Sequence, residues 1–258
     1  MKDTPNLADM VTHWSNVFRA RQGEGDTAAA ARHELLVRYH DAVRRYLQAE
    51  LRDEHAADAV LSNFALRVLE ADRFLKNADP GRGRFRDYLK TILRHMVADH
   101  HRQWQRDHRK QQPLVPGSDQ EPAAGGAPAP GEDERFLSCW RQELVNQAWE
   151  ALEQAEKRTG QPYAALLRLQ EERPGVRSAQ LAELLGARLG RTFTAAGVRQ
   201  LVHRGRELFG DLLVGEVARS LEVDPATAEG AARVEGELID LGLLFSYCKA
   251  ALDRCRPA

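Results

Sequence analysis

The apolar residues of this chain recur at spacings of three and four, and no segment alternates apolar with polar residues. This spacing places side chains on one stripe of an α-helix, whereas a half-buried strand requires strict alternation. The clearest stripe lies in residues 85–110 and consists of Phe85, Tyr88, Leu89, Ile92, Leu93, Met96 and Val97. Earlier segments carry similar stripes within residues 35–47 and 60–69. The sequence therefore predicts an all-α fold.

Residues 111–134 interrupt these patterns with five prolines, four glycines and almost no large apolar residue. Such a composition is typical of a flexible tether. A chain of 258 residues is long enough for two domains that each bury a core. We predict a helical domain in residues 1–110, a flexible Pro/Gly-rich linker in 111–134, a second helical domain in 135–216 and an acidic helical extension in 217–258.

The second domain contains two helical patterns joined by a turn with Gly186 and Gly190. Ser178 is the predicted N-cap of the first helix and Thr194 that of the second. No acid precedes Glu207 on the polar face of the second helix, which carries Arg199, Gln200, His203, Arg204 and Arg206. The pattern indicates a helix-turn-helix that reads DNA, with an ordinary helical hairpin as the alternative.

The formal net charge of −1 argues against a nucleic-acid partner, but the charges are segregated along the chain. Residues 82–110 hold nine Lys or Arg against three Asp, and residues 188–206 hold five Arg and no acid. We expect the cations of the first block to lie opposite the apolar stripe and to attract phosphates, while Tyr88 and Trp104 offer rings for unstacked bases.

No pattern of metal ligands or catalytic residues is complete. Cys139, Cys248 and Cys255 fall in no metal-binding spacing, and we expect reduced thiols and no cofactor. A nuclease that uses His95, Asp99 and His100 is an alternative, although the acidic clusters that hold catalytic magnesium are missing. Without a leader or a long apolar run, we expect a cytoplasmic protein with no membrane partner.

Five segments occur in an order that resembles a known family. The first half contains YHDAVRRYL, AADAVLSNFALRVL and GRGRFRDYLKTILRHMVADHHR, and the second contains SAQLAELLG and GVRQLVHRGRELFGDLL. Together they cover most of residues 35–213, and they resemble the extracytoplasmic-function sigma factors of bacterial RNA polymerase. The resemblance implies a non-enzymatic initiation factor whose partners are core RNA polymerase and promoter DNA, with an anti-sigma or other regulatory protein as a candidate third partner.

The resemblance also implies three sets of contact residues. The polymerase clamp would be bound by Asp58, Leu61, Ser62, Phe64 and Arg67. The minus-ten element would be opened and held by Asn77, Arg82, Arg84, Arg86, Tyr88, Lys90, Arg94, His101, Arg102 and Trp104. The minus-thirty-five element would be contacted by Thr194, Arg199, Gln200, His203, Arg204 and Arg206. No catalytic residue and no metal is implied.

The chain departs from the family pattern at several positions. Leu61 and Ser62 stand where the clamp-binding helix usually has Gln and Glu, and Leu201 stands where the recognition helix usually has Arg. The helix assigned to the minus-ten element has Tyr88 and His95 where the family usually has Trp and Asn. These changes leave two further alternatives open, a helix-turn-helix regulator that acts without polymerase and a degenerate sigma-like paralogue.

The extension after residue 216 combines acids with an apolar side. Glu229, Glu235, Glu237 and Asp240 alternate with a stripe that includes Leu238. Such a stripe needs a partner surface. The extension is predicted either to cap the core of the second domain or to form a regulatory lid over the basic residues 188–206.

Overall fold

The computed structural model describes residues 26–70, 84–111, 131–221 and 223–256. Every regular element within these ranges is an α-helix, which confirms the all-α prediction. The helices are α1 (Asp26–Leu51), α2 (Glu54–Leu69), α3 (Phe85–Gln111), α4 (Glu132–Thr159), α5 (Tyr163–Glu172), α6 (Ser178–Leu189), α7 (Ala195–Leu221), α8 (Ala228–Asp240) and α9 (Ser246–Cys255).

The chain forms two compact units, residues 1–143 and 144–258. The division lies within α4, whereas the sequence predicted a second domain that starts at residue 135. The predicted linker 111–134 falls largely outside the described residues, but α4 already begins at Glu132. Its first turn contains Asp133 and Glu134, and acidic side chains stabilise the N-terminus of a helix because the helix dipole is positive there.

The first unit builds its core from the predicted stripes of α1, α2 and α3. Leu47, Phe64, Leu89 and Leu93 are buried there. Asp53 caps α2, since its carboxylate accepts a hydrogen bond of 3.1 Å from the backbone N–H of Ala56.

The start of α4 completes this core with two aromatic side chains. The Trp140 ring stacks on Tyr39 with a centroid distance of 5.4 Å, and Phe136 meets the Tyr46 ring edge-on at 5.5 Å. Trp140 is therefore a core residue of the first unit.

The second unit is organised around α7. Leu166, Leu181, Leu185 and Val198 form a cluster that holds α5, α6 and the start of α7 together. Helix α6 begins at Ser178 and its N-cap is Arg177 without a side-chain cap, so the prediction that Ser178 is the N-cap is wrong by one position.

The C-terminal extension packs on α7 through α8 and α9. Its apolar side is buried, with Leu238, Leu241 and Leu252 almost inaccessible to solvent. The structure therefore supports the capping alternative over the lid alternative.

Candidate nucleic-acid interface

The cations of α3 differ in their exposure, and the prediction that Arg86 lies opposite the apolar stripe is wrong. Arg86 is buried, with only 7% of its surface exposed, although the sequence placed it opposite the apolar stripe. An α-helix turns about 100° per residue, so Arg86 flanks the stripe that begins with its neighbour Phe85. Its guanidinium Nε lies 3.8 Å from the Asp87 carboxylate.

Lys90 and Arg94 follow on the same flank and meet an acid of α4. The Lys90 Nζ lies 3.1 Å from Oδ1 of Asp133, and the Arg94 Nη1 lies 3.9 Å from the same oxygen. Only about a quarter of each basic side chain is exposed, at 22% and 27%. Tyr88 is half-buried, and burial raises the pKa of its phenol.

The C-terminal half of α3 is open to solvent. His101, Arg102 and Trp104 are exposed, and the Trp104 indole stacks on the His108 ring at a centroid distance of 3.9 Å. Arg102 donates a hydrogen bond of 2.6 Å to Asp99. Trp104 keeps 53% of its surface accessible, which suits a stacking platform for a base.

The connector before α3 is only partly described. Arg84 is half-buried at the start of the helix, where its carbonyl oxygen accepts from the backbone N–H of Asp87 at 3.1 Å. Asn77 and Arg82, the other two predicted minus-ten residues of this connector, lie outside the described residues.

Helix α2 carries the residues assigned to polymerase. Asp58 and Ser62 are exposed, Leu61 is half-buried, and Asp58 lies 3.6 Å from the Arg44 Nε. Phe64 is a core residue with 3% exposure, so its side chain is not at the surface where the sequence assigned it. Arg67 is exposed and donates a hydrogen bond of 2.9 Å to Asn63.

The outer face of α2 includes two apolar residues that are not among the predicted polymerase contacts. Leu66 and Leu69 are 56% and 44% exposed. The stripe of this helix placed Leu69 in the core, and Leu66 follows Ser62 by one helical turn. Leu66 and Leu69 therefore share the outer face of α2 with Ser62.

A cleft of about 500 Å³ lies between α2 and α3. Val60 and Met96 are its buried apolar members, while the remaining lining is largely polar and includes Arg67, His100 and Arg106. On α3 the lining of the cleft changes from apolar at Met96 to polar at Asp99, His100, Gln103 and Arg106.

Helix α7 presents the second basic surface. Arg199, Gln200, His203, Arg204 and Arg206 are all exposed, as is Thr194 just before the helix. The Thr194 hydroxyl accepts a hydrogen bond of 3.0 Å from the backbone N–H of Gly197, which confirms its predicted capping role. Arg206 donates to the Gln170 side chain at 3.2 Å, and the His203 Nε2 lies 3.6 Å from Glu207.

The turn before α7 depends on two glycines. Gly190 adopts a left-handed φ of 65° and ends α6. A Cβ on Gly186 would lie 2.8 Å from the carbonyl oxygen of Arg191, so the chain passes too closely for a side chain. These glycines let α7 leave α6 after a short turn while Val198 reaches the shared core.

The described part of the C-terminal extension leaves the cations of this surface exposed. Arg188 and Arg191 are exposed together with the cations of α7. The ion pairs of the extension lie at the border of this surface and beyond it. Arg254 donates to Asp211 at 2.6 Å and its Nη1 lies 4.0 Å from Glu207, while Arg256 donates to Glu235 at 2.9 Å.

Three further features concern metals, thiols and membranes. Within the described part of the chain, no three His, Cys, Asp or Glu side chains are grouped so that they could hold a metal ion. The thiols of Cys139, Cys248 and Cys255 are free. No described helix is both long enough and apolar enough to cross a membrane.

No protein-family model, no curated protein and no solved structure matches this chain.

Proposed function

We propose that this chain is a sigma-type transcription initiation factor, which binds core RNA polymerase and promoter DNA and has no catalytic activity. The observation that carries the proposal is the exposed face of α7. Five polar or basic side chains share it, while Val198 on the opposite side enters the core with α6.

The pairing of α6 and α7 supports the assignment of a helix-turn-helix. A left-handed glycine ends α6, Thr194 caps α7, and the two helices share one apolar cluster. In such a motif the second helix enters the major groove, where Arg pairs with guanine and Gln with adenine. Arg199, Gln200 and Arg204 are thus the proposed contacts to the minus-thirty-five element.

The proposed minus-ten contacts lie on α3. Trp104, His101 and Arg102 are exposed and combine flat rings with the cation of Arg102, which is the chemistry of single-strand binding. Lys90 and Arg94 would add phosphate contacts from the adjoining part of the helix.

Retention of core RNA polymerase by the tagged full-length chain is the primary test. We expect core enzyme to co-purify and to initiate transcription from promoter DNA only when the chain is added. Leu66→Glu on α2 should reduce retention, because it places a charge in the proposed docking patch formed by Leu66 and Leu69. Val37→Glu is the matched control, since Val37 is another exposed apolar residue, 66% accessible, on α1.

Retention of polymerase that is no greater than with an unrelated helical protein would contradict the proposal. Equal losses in the Leu66→Glu and Val37→Glu variants would contradict only the docking patch on α2.

The second candidate is a helix-turn-helix regulator that binds duplex DNA without polymerase. It is favoured by one observation: the cations of α7 are open, whereas Lys90 and Arg94 of α3 already face a carboxylate. Tight, sequence-specific binding of duplex DNA by the chain alone, with no effect of added core enzyme, would select this candidate.

A further inference from the structure

The basic flank of α3 is partly neutralised by an acid from the same unit. Asp133 approaches both Lys90 and Arg94 through one carboxylate oxygen, at 3.1 and 3.9 Å. Asp133 itself remains 60% exposed. The two cations are therefore held at the edge of the surface with their counter-charge facing solvent.

The helix that carries Asp133 is firmly anchored. Phe136 and Trp140 are buried at 4% and 2% exposure, one and two turns farther along α4. Arg135 also forms an ion pair of 2.5 Å with Glu50. At the end of this segment, Glu143 accepts a hydrogen bond of 2.6 Å from Arg45. Asp133 is thus positioned by the core of the unit and not by its own ion pairs.

We propose that the Asp133 carboxylate competes with the phosphates of single-stranded nucleic acid for Lys90 and Arg94. A phosphate that reaches these cations must displace the carboxylate or share the cations with it, and the two anions repel each other. The competition is weak, since an ion pair with an exposed partner contributes little free energy in water. DNA can therefore displace the Asp133 carboxylate while α4 stays in place.

This inference rests on the proposed function, in which α3 holds the separated strand of the minus-ten element. It adds a regulatory element to that site: binding at Lys90 and Arg94 is coupled to the first turn of α4.

The test measures the affinity of the full-length chain for a labelled single-stranded DNA of mixed sequence by fluorescence anisotropy. Asp133→Asn should raise the affinity about twofold to fivefold at low salt, and the gain should shrink as salt screens the ion pairs. Asp133→Lys should raise it further and steepen the salt dependence by about 0.7 for one added phosphate contact.

Glu134→Gln is the matched control. It removes the same charge from the next residue, whose carboxylate is 73% exposed and lies 3.7 Å from Arg141 of the same helix. Its affinity should equal that of the wild type. Lys90→Gln should abolish most of the gain of Asp133→Asn when the two changes are combined.

Equal affinities of the wild type and Asp133→Asn would overturn the inference, as would equal gains in Asp133→Asn and Glu134→Gln. Absence of single-strand binding in every variant would overturn it too. Polymerase retention is measured on the same proteins. If core enzyme is not retained but Asp133→Asn still binds more tightly, the sigma assignment fails while the competition stands.

Discussion

The carbonyl oxygen of Tyr247 in α9 lies so close to Gly210 in α7 that a Cβ on this glycine would be 2.7 Å from it. The C-terminal extension therefore approaches α7 at backbone distance. Such an approach is possible only where one helix lacks a side chain.

Gly210→Ala should lower the free energy of unfolding of the second unit by about 1 to 3 kcal/mol, because the backbone of α9 must move away. Gly236→Ala in α8 is the control, since its added Cβ would have no described atom within 4 Å apart from its chain neighbours and the backbone of its own helix. That change should stabilise by about 0.5 to 1 kcal/mol through helix propensity alone. Urea denaturation of both variants gives the comparison, and equal effects would show that α9 does not pack on α7 as described.

We expect the C-terminal extension to stabilise the core of the second unit and not to act as a lid over the basic residues 188–206. Leu241→Ala should lower the unfolding free energy by about 2 to 5 kcal/mol, because Leu241 is fully buried. Ile239→Ala, at a neighbouring position that is 59% exposed, should change it by less than about 0.5 kcal/mol. Neither variant should bind duplex DNA more tightly, and a clear increase in affinity for Leu241→Ala would restore the lid alternative.

The exposed cations of α7 should matter for DNA and not for folding. Arg199→Ala and Arg204→Ala should leave the melting temperature unchanged. Removal of a side chain that contacts a base should weaken binding to the minus-thirty-five element by about 1 to 3 kcal/mol. Arg233→Ala removes an equally exposed Arg from α8 and is the control. If all three variants bind alike, α6 and α7 form a structural hairpin.

Arg86 should behave as a core residue of the first unit. Arg86→Ala removes a buried aliphatic stem and should cost about 1 to 3 kcal/mol of stability. Arg102→Ala on the exposed part of α3 should change stability by less than about 0.5 kcal/mol. Thermal unfolding distinguishes the two, and an unchanged melting temperature for Arg86→Ala would show that its burial contributes nothing.

The second unit should lose stability as the pH rises above 9. Burial raises the pKa of the Cys248 thiol from 9.0 to about 11. The folded thiol therefore keeps its proton where the unfolded thiol has lost it, so the free energy of unfolding falls by at most about 3 kcal/mol across this interval. Tyr247 acts in the same direction, since burial raises its pKa to about 12.

Cys248→Ala should remove much of this pH dependence, whatever its effect near neutral pH. Urea unfolding of the wild type and of Cys248→Ala at increasing pH measures how the free energy of unfolding depends on pH. Parallel curves for wild type and variant would show that the thiol does not titrate differently in the folded state.

The helices, most of the residues that face a core and the exposure of the cations on α7 could all be predicted from the amino-acid sequence. These features depend on local periodicity, because residues three and four apart share a face whatever the helix packs against. The cap formed by Thr194 and the turn at Gly190 are equally local.

Which of the remaining charged faces are covered depends on how helices distant in sequence pack together. Arg86 and Lys90 flank the stripe of α3, and whether a flanking residue is exposed depends on the neighbouring helices. Their surroundings include α4, whose first half contacts α1 through Arg45 and Glu143, 98 positions apart in sequence. Contacts over such separations arise from the shapes and charges of whole surfaces, which the periodicity of one segment does not contain. For the same reason the apolar side of the C-terminal extension predicted that a partner surface exists. The packing of α9 against Gly210 identifies that surface as α7.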